Sequence, residues 1–115
     1  MKRGITADEN RAAILADLDR RGVLYDLNDD GDFIFCDAAG TLSAEFEYGL
    51  HLCADGLTAY LRRQRGLCVS CGRAKATRPR YGGAIETAPA RWRERFPCWC
   101  SSCYKGGAWK LAPRP

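Results

Sequence analysis

Histidine is nearly missing: His51 is the only one in 115 residues. A lone imidazole excludes an HNH-type nuclease. No Ser/His/Asp order, glycine-rich phosphate loop or paired-carboxylate constellation appears either, so the sequence is not expected to encode an enzyme. Long apolar runs are also lacking. None approaches the ~18 residues of a membrane span, and Met1-Lys2-Arg3 leads into a polar stretch rather than a secretory one. A soluble protein of the reducing cytoplasm is expected, with its seven cysteines available to a metal rather than to disulfides. The third scarcity is local. Residues 61–115 contain only 2 Asp/Glu against 13 Lys/Arg, whereas residues 1–60 contain 12 Asp/Glu against 5 Lys/Arg. Such asymmetry fits two modules with different partners, or two halves that attract each other within a chain or between the copies of a homodimer.

The basic half is organised by cysteine. Cys68-Val69-Ser70-Cys71-Gly72 and Cys98-Trp99-Cys100-Ser101-Ser102-Cys103 contain two C-x2-C pairs, Cys68/Cys71 and Cys100/Cys103. Two thiolates separated by two residues can point at one ion from a single tight loop, and two such loops complete a tetrahedron. Gly72 suits the turn that closes the first loop, where a positive φ is cheap only for glycine. A structural four-cysteine zinc site of the zinc-ribbon type is expected. Iron of the rubredoxin kind or an iron–sulfur cluster would use the same sulfurs, and colour separates them, since zinc thiolate is colourless. A redox C-x2-C would need a surrounding βαβ pattern, and none is present. Cys98 stands as the alternative third ligand, because it makes C-x-C with Cys100 and C-x4-C with Cys103. Its single-residue spacing makes the poorer chelating loop.

In the acidic half, Thr6 reads as the N-cap of a first helix, with Glu9 closing a capping box. Ile14, Leu15 and Leu18 form its apolar stripe, and Gly22 follows as the C′ residue. Val23–Leu27 and Phe33–Cys36 read as two short strands joined by Asn28-Asp29-Asp30-Gly31-Asp32, residues that tolerate left-handed turns. That acidic loop lacks the ligand spacing and closing Glu of a calcium loop, so it reads as a hairpin turn. Ser43 caps a second helix whose apolar face runs through Phe46, Leu50, Cys53, Leu57 and Leu61, with a break expected near Gly56. His51 reads as a partly exposed helix residue, and Cys36 and Cys53 as buried small hydrophobes.

From Ile14 to Leu61 this order resembles the N-terminal docking domain of TubC-type peptide synthetases. The resemblance rests on the Leu-rich helix, the Arg20-Arg21-Gly22-Val23 turn, the acidic hairpin tip, and Gly40-Thr41-Leu42-Ser43-Ala44-Glu45-Phe46 leading to Leu57 and Leu61. It spans about residues 8–65. It implies an αββαα fold that binds a short peptide of a partner protein, partly through the hairpin, and often dimerises. Relatives attached to replication or mobile-element proteins imply an origin in a bacterial plasmid, phage or integrated element. Where the second helix of that family usually carries basic residues, this chain has Cys53, Ala54 and Asp55, so the resemblance names no docked peptide.

Between the cysteine pairs stand Arg73, Lys75, Arg78, Arg80, Arg91, Arg93 and Arg95, interleaved with Tyr81, Trp92 and Phe96 and followed by Trp99, Tyr104 and Trp109. Arginines that reach phosphates beside rings that stack on bases are a common nucleic-acid surface. At least half of these rings are expected to be structural, covering the metal site. Thr87 and Pro89 open a short helix through Arg95, broken by Pro97. The expected fold is α+β: a docking-like αββαα module over residues 1–65, a zinc ribbon over 66–111, and a frayed tail, 112–115. The expected function is a non-enzymatic zinc-binding adaptor whose acidic half docks a protein and whose basic ribbon binds nucleic acid. The alternative is a purely protein–protein interaction protein with a structural zinc. About 50 residues cannot bury enough surface to fold alone, so metal removal is expected to unfold residues 67–105 while the first helix and hairpin survive.

Overall fold

The computed structural model describes residues 7–78 and 98–110. The expected Thr6 cap, the helix of Thr87–Arg95 and the tail 112–115 lie outside the described residues.

Helix α1 (Ala7–Arg20) buries Leu15 and Leu18 and leaves Ile14 half-buried against the same cluster. It stops as the sequence predicts. The N–H of Val23 donates to the Leu18 carbonyl at 3.0 Å and that of Gly22 to Asp19 at 3.1 Å, the paired bonds of a Schellman ending. Gly22 takes φ +73° there, a conformation costly for residues with a Cβ. Val23 thereby turns inward and packs on Leu18.

Strands β1 (Leu24–Leu27) and β2 (Phe33–Cys36) pair antiparallel in the register Leu24↔Cys36, Tyr25↔Phe35, Asp26↔Ile34 and Leu27↔Phe33. The two-residue period sends Tyr25, Leu27, Phe33 and Phe35 to the core and leaves Leu24, Ile34 and Cys36 exposed. Cys36 is therefore not buried, contrary to the sequence reading, because it shares the outer face with Ile34; Cys53 is half-buried against the core. At the turn, the Asn28 side-chain oxygen accepts from the N–H groups of Asp30 and Asp32 at 2.9 and 3.0 Å. This is the hairpin tip expected of Asn28–Asp32.

Helix α2 (Ala44–Leu52) starts at Ser43, whose hydroxyl accepts from the Phe46 N–H at 3.1 Å. Helix α3 (Ala54–Gln64) follows after a break at Cys53, three residues earlier than Gly56. Cys53 serves both helices: its N–H donates to Gly49 and its carbonyl accepts from Leu57. Gly56 has a different role, since a Cβ there would lie 2.8 Å from the Arg11 guanidinium on α1.

Leu15, Leu18, Val23, Phe33, Leu42, Leu50, Leu57 and Leu61 form one buried cluster between the helices and the hairpin. Leu57 is wholly buried. Leu57→Ala is expected to destabilise the protein by about 2–5 kcal/mol in chemical denaturation, with no change in metal content, because the cysteines lie in a separate cluster.

Three arginines at the end of α3 reach back into the acidic half: Arg63 pairs with Asp8 at 2.7 Å, Arg62 with Asp32 at 3.3 Å, and Arg65 with Asp26. Part of the charge asymmetry is thus neutralised inside the chain. Hydrogen bonding from Arg63 holds the Asp8 carboxyl below its ordinary range, against a smaller opposing effect of burial. A lowered carboxylate contributes stability above its unfolded value and loses it as pH falls through the folded one. The Asp8–Arg63 link is expected to weaken only below about pH 4. Asp8→Asn would remove that acid dependence, read by thermal denaturation between pH 3 and 7.

Candidate metal centre

Past α3 the chain makes the first cysteine loop at once. Leu67 bridges to Lys75, the Cys68 N–H donates to the Ala74 carbonyl at 2.8 Å, and the Gly72 N–H donates to the Cys68 carbonyl at 2.8 Å. These bonds fold residues 68–74 into a tight knuckle, with Gly72 at φ +66° as the sequence predicts.

The second loop is held beside it by main chain. Trp99 and Arg78 exchange two N–H···O bonds of 2.8 Å, and the Val69 N–H donates to the Cys98 carbonyl at 3.0 Å. Helix α4 (Ser101–Lys105) then begins, with Cys100 in the N-cap position. Its sulfur accepts from the Cys103 N–H at 3.5 Å, and its carbonyl accepts from Tyr104. A short 310 turn, Ala108–Lys110, closes over α4. One pair of cysteines thus sits on a turn and the other on the first turn of a helix.

The sulfurs of Cys68, Cys71, Cys100 and Cys103 all lie within 4.8 Å of one another, and those of Cys71 and Cys100 are 4.0 Å apart. Cys98 is not among them. It is buried, and its carbonyl ties the two loops together. Of the two candidates for the third position, Cys100 is the one brought to the cluster. Cys68 and Cys100 are buried; Cys71 and Cys103 are partly exposed.

Four thiols this close cannot ionise independently. Burial pushes Cys71 up, but the N–H groups of Arg73 and Ala74, with the sulfurs of Cys68 and Cys103, outweigh it and bring the thiol down to about 6. Cys103 moves the other way. Burial and the crowded sulfurs of Cys100, Cys68 and Cys71 push it up to about 12. The opposed shifts show that the four sulfurs share their protons as one group, and a cation placed among them would favour the thiolate form of each. A metal that replaces thiol protons binds more weakly in acid, so its release is expected as pH falls below neutrality, measurable with a chromophoric chelator.

Around these sulfurs lies a second buried cluster of Cys68, Trp99 and Cys100, packed by Val69, Cys71, Cys103, Tyr104 and Ala108. Trp99 is the largest fully buried side chain among the described residues. It is one of the rings expected to be structural. Tyr81, Trp92 and Phe96 lie outside the described residues.

Of the seven basic residues singled out between the pairs, Arg73 and Lys75 are exposed on the first knuckle, and Arg78 is half-buried where it pairs with Trp99. Arg80, Arg91, Arg93 and Arg95 lie outside the described residues. His51 is exposed on α2 with its ring 5.9 Å from that of Phe35, on a different element from the cysteines.

One residue of this site escaped the sequence reading. Arg62 reads as one of several cations at a helix end, yet it is only 9 % exposed. Its Nη1 donates to the carbonyls of Val69 and Ser70, inside the first cysteine loop, at 2.8 and 3.2 Å. On the same face one turn earlier, the Thr58 hydroxyl accepts from the Phe33 N–H at 2.9 Å, so this side of α3 meets the hairpin through polar groups. Nothing in the sequence separates Arg62 from Arg63 and Arg65.

No known protein family, curated protein or solved structure matches the chain. Function therefore rests on the residues themselves. No helix among the described residues is long and apolar enough to cross a membrane.

Proposed function

We propose that the chain is a non-enzymatic adaptor built on one structural Zn2+. The observation that carries this reading is the four-sulfur cluster itself, closed within 4.8 Å by two C-x2-C loops. Four cysteine ligands fill a tetrahedron and leave no open position for substrate or water, which is the pattern of a structural rather than a catalytic ion. The basic ribbon around it binds nucleic acid through Arg73, Lys75 and Arg78 together with Arg80, Arg91, Arg93 and Arg95. Ten Lys/Arg against two Asp/Glu in residues 66–115 support this. The acidic half docks a protein partner, supported by the TubC-type resemblance and by the exposed Leu24 and Ile34 on the outer face of the hairpin. A cytoplasmic protein of a bacterial mobile element or phage fits this combination.

A second reading, protein–protein interaction alone, draws on the ion pairs of Arg62, Arg63 and Arg65 with Asp32, Asp8 and Asp26. Those pairs show basic residues of this chain meeting acidic protein surface. Binding to random-sequence DNA across salt concentrations separates the two. About five phosphate contacts give a log–log slope near −4 to −5. Replacing Arg91, Arg93 and Arg95 with Ala is expected to weaken that binding without releasing zinc. No retention on DNA at low salt leaves only the second reading.

A further inference from the structure

Arg62 joins two parts of the chain that the sequence keeps apart. From α3 it donates through Nη1 to the Val69 and Ser70 carbonyls of the first cysteine loop. Through Nε it donates to the Gly31 carbonyl at 2.7 Å, and through Nη2 to the Asp32 carboxylate at 3.3 Å, both at the tip of the β1–β2 hairpin. Backbone touches backbone at the same place: a Cβ at Gly31 would lie 2.7–2.8 Å from the main chain of Gly72, directly after Cys71. A Cβ at Gly72 would in turn meet the Arg62 guanidinium. Glycine at both positions lets the tip, the guanidinium and the cysteine loop pack together.

A planar guanidinium offers five N–H donors in a fixed fork. Here four hydrogen bonds spread over that fork, two to the loop and two to the tip. Neither side is satisfied independently of the other. If the loop opens, the buried guanidinium loses two acceptors, and the remaining bonds to the tip no longer fix its plane. If the tip moves, the loop loses the donor that holds Val69 and Ser70, the two residues between Cys68 and Cys71.

We infer that Arg62 is a positioning residue that couples the metal centre to the hairpin tip, so that metal occupancy sets the conformation of Gly31–Asp32. This rests on the four-cysteine reading above and adds a regulatory property to it. By linkage the coupling is reciprocal: a partner seated on the hairpin tip tightens metal binding by the factor by which the metal tightens the partner. The adaptor's docking element is then presented in full only by the metal-loaded protein.

The test measures Zn2+ affinity of the full chain by competition with a chromophoric chelator, alongside amide resonances of Gly31 and Asp32 with and without Zn2+. Residues that support metal ligands from behind typically change affinity by about 10- to 100-fold when mutated. Arg62→Lys keeps the charge but not the fork, and is expected to weaken Zn2+ binding by about tenfold or more. Arg65→Lys, at the same helix end and paired with Asp26, is expected to stay within about twofold, well short of that effect. Gly31→Ala approaches the contact from the hairpin side without touching a cysteine, and is also expected to weaken Zn2+ binding. In the unsubstituted protein, Zn2+ removal shifts the Gly31 and Asp32 resonances; in Arg62→Lys the shift at Asp32, whose link to the loop runs through the guanidinium, is expected to shrink. If Arg62→Lys fails to fold, Gly31→Ala and the resonances of the unsubstituted chain decide. Unchanged Zn2+ affinity in both variants overturns the coupling, as do tip resonances blind to the metal. A chain that takes up no Zn2+ at all fails at the earlier step, the four-cysteine centre, and is told apart by that.

Discussion

Serine in place of Cys68 is expected to abolish stoichiometric zinc binding and unfold the ribbon, while the helical core stays folded. Cys68 is wholly buried and lies at the middle of the second cluster, whose other buried members are Trp99 and Cys100. Among the described residues that cluster has almost no aliphatic interior. A hydroxyl is a poor zinc ligand beside a thiolate, and structural zinc contributes an apparent ~10–16 kcal/mol to folding at neutral pH. That figure is comparable to the whole stability of a typical small domain, so its loss is expected to unfold this half. The first cluster has eight buried side chains of its own, from Leu15 to Leu61, and needs no sulfur. Far-UV circular dichroism should therefore keep the signal of α1 to α3 and lose the remainder, and a strong chelator should reproduce the effect in the unsubstituted protein. The hairpin tip is the exception. Being tied to the cysteine loop through Arg62 and Gly31, it should loosen with the metal even though the strands behind it survive. A Cys68→Ser protein with full zinc content and an unchanged spectrum would contradict this. By contrast, Cys98→Ser should retain one equivalent of zinc, since Cys98 stands outside the sulfur cluster.

Trp99→Ala carries the second-largest expected effect. Trp99 is 1 % exposed and lies between two cysteines of the second loop. Its main chain pairs with Arg78, which keeps the two loops side by side. Truncating a buried tryptophan typically costs about 3–5 kcal/mol. Here the cavity would open against the clustered cysteines, with Val69, Tyr104 and Ala108 the other packing partners among the described residues. Chemical denaturation at a fixed free-zinc concentration reads the loss. The zinc affinity of the variant should fall with it if, as proposed, the metal holds this half folded. Destabilisation below about 1 kcal/mol would mean that the ring is not the packing centre of the ribbon.

Much of the fold was legible because its signals are local. Gly22 after Arg20-Arg21 marks a helix end wherever it occurs, Ser43 caps by hydrogen-bonding three residues ahead, and Asn28 builds its turn from its own side chain. The cysteine set was legible from spacing except at its third position, where Cys98 stood beside Cys100 and only the fold brings Cys100 to the cluster. What stayed hidden depended on tertiary approach. The break at Cys53 rather than near Gly56 could not be read from a face that is apolar without interruption. Gly56 looked like a weak point in a helix and is instead the place where Arg11 crosses. Cys36 looked buried because Phe33-Ile34-Phe35-Cys36 is apolar throughout, and only pairing with Leu24 assigns it to the outer face. Arg62 is the largest omission. Three neighbouring arginines read alike at a helix end, and which of them is buried depends on where the hairpin tip meets the knuckle. The basic excess of the second half was legible as composition alone, because a charge excess declares no geometry.

Zinc content of the purified chain, set against the reactivity of its cysteines to an alkylating reagent, bears most directly on all of this. One zinc per chain is predicted, with Cys68, Cys71, Cys100 and Cys103 shielded as a set and the exposed Cys36 labelled at once. Chelation should release all four to the reagent together. A chain without bound metal, in which Cys71 and Cys103 react as fast as Cys36 before any chelator is added, would contradict it.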